Sequence, residues 1–250
     1  MPTGSGTKQG RPGQLTSSAA MLLGVAAPIA AVAGAYLANT GRLPPEAGFR
    51  LFGLSLPLAV LAILFAIVAL FRARGGRNRS GGRKALTGVT FSIVTISAVV
   101  GLALPTLNYP LINDITTDTD DPPAFVAAAR LEANRGEDMS YPAGFAEQQK
   151  RAYPTLASKV LSVPPEQAFE RARAALESLP NTRVIDASVE EGRVEAISVS
   201  SAFHFVDDVV LRIRPTPGGS RIDIRSRSRV GKGDLGANAH RIETLLTVLH

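Results

Sequence analysis

The chain has 250 residues, 45% of them hydrophobic and 19% charged, and a formal net charge of +6, a composition open to a membrane protein as well as a globular one. It contains no cysteine, which excludes thiol catalysis, CxxC redox chemistry and cysteine-ligated zinc. The positive charge does not point to nucleic acid, because residues 1–104 carry ten Lys/Arg against the single acidic Glu46, whereas residues 105–250 carry 17 Lys/Arg against 20 Asp/Glu.

Three uncharged stretches, Leu15 to Thr40, Leu51 to Phe71 and Ala85 to Leu107, stand out along the first part of the chain. Each is long enough as a helix to cross a hydrocarbon core of roughly 30 Å at about 1.5 Å per residue. The expectation is a tail over residues 1–14 and a membrane region over 15–107, with helices at 16–38, 51–71 and 85–104. Arg72, Arg74, Arg77, Arg79, Arg83 and Lys84 crowd the connection between the second and third helices, and the positive-inside rule places such a loop in the cytoplasm. The tail with Lys8 and Arg11 is then cytoplasmic, the linker from Asn39 to Arg50 lies outside, and everything after Leu107 is delivered outside. For a bacterial chain this means a multi-pass inner-membrane protein with a periplasmic C-terminal domain. The first stretch has a competing reading as a cleavable signal peptide, since Ala31-Val32-Ala33 follows its apolar run; cleavage would leave the C-terminal part on the same side. None of the three stretches contains Asp, Glu, Lys or Arg, which argues against an ion or proton transporter.

Residues 108–154 read as a linker with short helices. Pro110, Pro122, Pro123 and a cluster of Asp and Thr favour extended and turn structure, and Phe125 to Asn134 and Phe145 to Tyr153 are helix-capable. Residues 155–250 form the folded domain. Pro165 opens a helix on which Phe169, Ala172, Leu176 and Leu179 share one face. Four strand-like runs follow, Arg183 to Val189, Arg193 to Ala202, Asp208 to Arg214 and Arg221 to Val230, joined at both ends by hairpin-length turns containing Gly. Asp234 then caps a last helix with Leu235, Ala239, Ile242, Leu246 and Leu249 as its apolar stripe. The fold class is α+β: an antiparallel four-stranded sheet between a first and a last helix that cover one of its faces.

Three sequence blocks carry a resemblance: Asp114 to Asp118 with Pro122 to Phe125, then Phe205 to Val210, then Asp223 to Asn238. Over about residues 111–249 they resemble the family catalogued as domain of unknown function fourteen ninety-nine, some of whose members carry membrane spans ahead of the domain. The resemblance supports the domain and brings no catalytic residues with it.

The residues that carry chemistry concentrate on the fourth strand. A period of two puts Asp223, Arg225, Arg227 and Arg229 on one face, and the chain then turns through Gly231-Lys232-Gly233 into a helix N-terminus, whose free amides favour anions. This suggests an anion site of Arg225, Arg227, Arg229 and Lys232 with the amides near Leu235 and Gly236. The plainer reading pairs these arginines with Asp223, Asp207, Asp208 and Glu195 and leaves Asp234 as a cap. Asp207 and Asp208 are adjacent, so a strand sends them to opposite faces, and as an acid–base pair they are weak, as is His204 between two phenylalanines. His240 and His250 give no ligand spacing, and Asp114, Asp118, Asp120 and Asp121 lack the Gly and Glu of a calcium loop, so no metal site is expected. No motif calls for a cofactor. The expected partners are the lipid bilayer and an anionic ligand or membrane protein, without nucleic acid. The expected function is a membrane-anchored extracytoplasmic binding or scaffold module, and the alternative is an envelope enzyme acting on a phosphate- or carboxylate-bearing substrate with Asp207, Asp208 or His204 as base.

Overall fold

A computed structural model of the protein describes residues 12–73 and 79–249. The chain divides into two compact units, residues 1–105 and 106–250, and each is described by itself. The first holds four helices, α1 (Pro12–Asn39), α2 (Pro45–Gly53), α3 (Ser55–Ala73) and α4 (Arg79–Ala103). Three stretches are long and apolar enough to cross a membrane: Gln14–Asn39, Pro45–Arg72 and Gly81–Thr106. They coincide with the expected spans. Two differences are local. The linker expected from Asn39 to Arg50 contains α2, which runs into α3 with only Leu54 between them, itself in a right-handed helical conformation. Pro57 allows this because it falls in the first turn of α3, where a missing N–H costs least. Part of the basic loop, Arg79 to Lys84, belongs to α4; Arg74, Arg77, Lys8 and Arg11 lie outside the described residues.

Lipid tails give apolar side chains no reason to prefer one another, so helices in a membrane hold together by close backbone approach at small residues. That is the pattern here. A Cβ placed on Gly88 of α4 would lie 2.2 Å from the Ala20 carbonyl oxygen of α1, one on Gly24 would lie 2.4 Å from the Gly88 oxygen, and one on Gly48 of α2 would lie 2.6 Å from the Gly34 oxygen. Ala20 of α1, Ala66 and Ala69 of α3 and Ala85 of α4 form a buried cluster, while Leu22, Val32, Leu64 and Phe71 are exposed.

The second unit runs β1 (Asp114–Thr116), α5 (Phe145–Ala152), β2 (Lys159–Leu161), α6 (Pro165–Ser178), β3 (Thr182–Ser188), β4 (Arg193–Val199), β5 (Val206–Thr216), β6 (Gly219–Ser228) and α7 (Ala237–Val248). The expected meander is β3 to β6. Its last hairpin closes on Pro217-Gly218, with Gly218 at φ 83, a backbone state that side chains disfavour. The sheet is antiparallel throughout but has six strands rather than four, in the order β1-β6-β5-β4-β3, because β1 and β2 both pair along the outer edge of β6. These additions have three residues each, too short for a period of two to register, and their flanking Pro, Asn and Asp read as linker. Phe125 to Asn134 is likewise two short 3-10 turns, Ala128–Arg130 and Glu132–Asn134, rather than a helix.

Alternation along the strands divides the sheet into two unlike faces. Val194, Ala196, Val209, Leu211, Ile213, Ile222 and Ile224 face α6 and α7 and form the core with Phe169, Leu176, Ile242 and Leu245. Helix α7 begins at Ala237, two residues later than a cap at Asp234 suggested. Asp234 still caps it from outside, accepting from the amides of Gly236 at 2.9 Å and Asn238 at 2.8 Å. The later start shifts the stripe to Ala239, Ile242, Leu245 and Leu249, with Leu246 half-buried and Leu235 exposed.

The close seam makes a direct prediction. Gly88→Ala should lower the melting temperature of the detergent-solubilised protein, by an overpacking cost of about 1–3 kcal/mol. Gly101→Ala on the same helix, where a Cβ meets nothing within 4 Å, should leave it unchanged. Equal behaviour of the two variants would rule out the glycine seam as the contact between α1 and α4.

Candidate functional site: the arginine face of the sheet

The second face of the sheet is charged. Alternation places Arg193 and Glu195 of β4, Asp208, Arg212 and Arg214 of β5, Asp223, Arg225 and Arg227 of β6 and Asp114 of β1 on it. Residues 117–153 lie over this face as a cover, with Phe125 and Ala128 packed on Val210. Few charged side chains are removed from water unless paired, and pairing here is extensive.

At one end, Asp223 is fully buried and accepts from Arg212 at 2.8 Å, Arg214 at 2.8 Å, Arg221 at 2.7 Å and the Ser158 hydroxyl at 2.6 Å. Asp118 and Asp121 of the cover complete the cluster, bonded to Arg221 at 2.5 Å and Arg214 at 2.6 Å. Burial pushes the Asp223 carboxyl up, but the Ser158 hydroxyl and the Arg212 and Arg221 guanidiniums outweigh it and hold the group below the usual carboxylate range. Asp118 also turns the chain, accepting from the amides of Asp120 and Asp121.

In the middle, Arg225 is only 2% exposed. Its guanidinium donates to both oxygens of Asp114 at 2.9 and 2.6 Å and to the carbonyls of Pro123 at 3.0 Å and Met139 at 2.9 Å. It lies 4.7 Å from the centre of the Phe125 ring and 5.7 Å from that of Tyr141, the geometry of a cation over an aromatic face. Burial pushes Asp114 up, and the Arg225 hydrogen bond and charge offset only part of that. An open cleft of about 480 Å³ lies above, lined by Phe125, Met139, Tyr141, Ala143, Ala146 and Arg225.

Beyond it, Arg229 grips the buried Asp208 at 2.6 and 3.0 Å, and Asn134 of the cover donates to the same carboxylate at 2.9 Å. Glu195 accepts three successive cover amides, Val126, Ala127 and Ala128, at 2.8, 2.9 and 2.8 Å, and is paired with Arg193 at 2.8 Å. Arg227 is served differently. It touches the Met139 thioether, and its nearest carboxylate among the described residues is the Asp114 oxygen at 4.0 Å, which Arg225 already holds.

The structure therefore brings Arg225, Arg227 and Arg229 to one face, as alternation requires, but separates them from Leu235 and Gly236. Ser226 and Ser228 point the other way, to Asn238 of α7 at 2.6 and 2.9 Å, so the α7 N-terminus sits across the sheet from the arginines and Asp234 already occupies its amides. Lys232, like Leu235, is exposed on the turn between β6 and α7. Of the acidic partners expected for the arginines, only Asp208 takes one of the three; Asp223 serves Arg212, Arg214 and Arg221, Glu195 serves Arg193, and Asp207 bonds Arg241 at 2.6 Å on the helix side. Asp207 and Asp208 thus face opposite sides of the sheet. His204 is exposed in the β4–β5 connection with φ 59, two residues before β5 begins. No group of three or more His, Cys, Asp or Glu among the described residues could hold a metal ion.

Sequence reasoning missed Asp114 as the partner of Arg225, and Gln149, whose side-chain amide pairs with both the N–H and the C=O of Thr116 at 2.9 and 2.6 Å and stands in for a further strand. It also missed Arg212 and Arg214. Their alternation on β5 was a readable signal.

Because Asp223 is held below the unfolded carboxylate value of about 3.9, its stabilisation is present above that value and is lost as pH falls through the lower folded value. Asp223→Asn should destabilise the protein by about 3–5 kcal/mol near neutral pH, as expected for breaking a buried pair. The gap between the unfolding midpoints of wild type and variant should narrow as pH falls below about 4. A gap independent of pH would show that the carboxylate charge is not what holds the three arginines.

The family model described as "Protein of unknown function (DUF1499)" matches residues 114–249, more than half of the chain. The matched segment starts at Asp114, the partner of Arg225, and ends at Leu249 in the core. No curated protein and no solved structure matches the chain. The chain belongs to the DUF1499 family.

Proposed function

We propose that the protein is a membrane-anchored binding module of the cell envelope, with its folded domain on the far side of the membrane from the cytoplasm, that takes an anionic group of an envelope component at Arg227. The observation that supports this is a local imbalance. Among the described residues the carboxylates within 4.0 Å of Arg225, Arg227 and Arg229 are Asp114 and Asp208, each engaged by one of the flanking arginines, while the exposed Asp138 acts on Arg227 only through its charge at longer range. Arg227 is left with a thioether, a weak acceptor, and charge of this kind in a partly desolvated place favours an incoming anion. The side assignment rests on the basic residues between Arg72 and Lys84.

Thermal melts of the full-length protein across phosphate, sulfate and an anionic lipid headgroup, at fixed ionic strength because screening alone would mimic binding, test the site. The wild type should gain stability, roughly 2.7 kcal/mol at about a hundred times the dissociation constant, and Arg227→Gln should abolish the gain while leaving the free protein as stable or more stable. A destabilised variant together with a wild type indifferent to anions would make Arg227 structural. For the orientation, a reporter active only outside the cytoplasm should work when fused after Gly144 and fail when fused at Gly76; the reverse pattern would overturn the placement.

A further inference from the structure

The turn between β6 and α7 presents an apolar side chain where nothing in the fold calls for one. Leu235 is 57% exposed and sits in the left-handed region at φ 55, a conformation in which Asn, Asp or Gly would be at ease and a leucine is not. The turn is nevertheless well held. Asn113 donates to the Gly231 carbonyl at 2.8 Å, the Asp234 amide bonds the Ile112 carbonyl at 3.3 Å, and the Asp234 carboxylate takes the amides of Gly236 and Asn238. Leu235 is therefore displayed by a fixed turn. Strained backbone kept in place by its surroundings is a feature of functional positions.

Its surroundings are exposed and apolar as well. Leu111 is 75% exposed, and its side chain lies 3.1 Å from where a Cβ on Gly233 would be; Gly236 lies against the ring of the exposed Tyr109. Lys232 stands exposed on the same turn. The chain keeps this patch close to a helix end. The third apolar stretch ends at Thr106, and Leu111 follows five residues later, so even a fully extended tether of about 3.6 Å per residue keeps Leu111 within about 18 Å of that helix end. A stretch of 26 residues is about 39 Å long, more than the hydrocarbon core of roughly 30 Å, so its ends emerge among the headgroups.

We infer that Tyr109, Leu111 and Leu235 form a membrane-contact surface that enters the headgroup layer, with Lys232 meeting the phosphate of an anionic phospholipid. The combination of aromatic, aliphatic and lysine side chains is the one suited to that layer, where an apolar body is buried and a cationic end stays wet. The inference rests on the anchoring part of the proposed function and is independent of the Arg227 site.

The absence of cysteine allows a clean test with the full-length protein. Leu235→Cys, Leu111→Cys, Val189→Cys and Leu64→Cys are each labelled with a nitrobenzoxadiazole fluorophore and reconstituted in vesicles of phosphatidylcholine and phosphatidylglycerol in equal parts. Val189 is exposed in the β3–β4 connection, at the opposite end of the strands, and Leu64 is exposed on α3. Headgroup nitroxide lipids should quench the labels at Leu235 and Leu111 severalfold more than the label at Val189. Phosphatidylcholine alone, or Lys232→Gln, should reduce that quenching. Should either of the first two variants fail to fold, the other carries the test. Quenching at Leu235 and Leu111 no greater than at Val189, with Leu64 quenched by nitroxides in the acyl chains, overturns the contact surface alone. An unquenched Leu64 label overturns the anchoring itself. A blue shift at Leu235 that grows with protein density, without quenching, would replace the lipid with a second copy of the chain and also overturns the inference.

Discussion

Arg225 must not be left alone. A guanidinium that is almost entirely removed from water and unpaired would cost several kcal/mol, and the charged side of the sheet is organised around meeting that demand. Asp114 supplies the bidentate partner, which fixes β1 on the edge of β6. Strand β1 has only three residues and would fray on its own; Gln149 prevents this by pairing with Thr116 in place of a strand. Gln149 in turn is held by the Tyr141 hydroxyl at 3.1 Å, and Tyr141 and Phe125 flank the guanidinium that began the chain of constraints. Residues 117–153, which have little regular structure, are thereby fixed by side-chain and carbonyl contacts to the sheet. Glu195 anchors the same segment from β4 through three amides.

How much of this a sequence can reveal depends on the range of the interaction. The apolar helices are legible because their signal is compositional and extends over whole turns. The β3 to β6 meander is legible because alternation and glycine turns are local, and the same alternation correctly set Arg225, Arg227 and Arg229 on one face. Partners were not legible. Whether Arg225 meets Asp223 or Asp114 depends on the pairing of a strand 111 residues away, and no periodicity in a three-residue strand announces it. The expected anion site failed to converge for a related reason. Residues 225–236 are close in sequence, but Ser226 and Ser228 alternate with the arginines and take α7 to the opposite face, so the helix N-terminus and the guanidiniums never share a cavity. The α7 boundary shows a limit of capping rules: Asp234 does cap, but from two residues outside, through a turn in which Leu235 and Gly236 both adopt positive φ.

The two units are held together by different chemistry. In the first, glycine and alanine permit backbones to touch and leave aliphatic side chains outward, which suits lipid. In the second, one face of the sheet buries aliphatic side chains against α6 and α7, and the other buries ions that are hydrogen-bonded to one another and to a fixed cover. A layer so thoroughly paired offers a ligand little unless a charge is left over, and this makes the setting of Arg227 between two satisfied pairs the informative feature of the site.

The most direct measurement of the account is a double-mutant cycle on Asp114 and Arg225 in the full-length protein, read by equilibrium unfolding. Asp114→Asn and Arg225→Gln should each destabilise by about 3–5 kcal/mol, and the double variant should cost less than their sum, with a coupling of about 1.5 kcal/mol or more, since each single change strands the other group. Additive losses would contradict the claim that this pair holds the cover on the sheet.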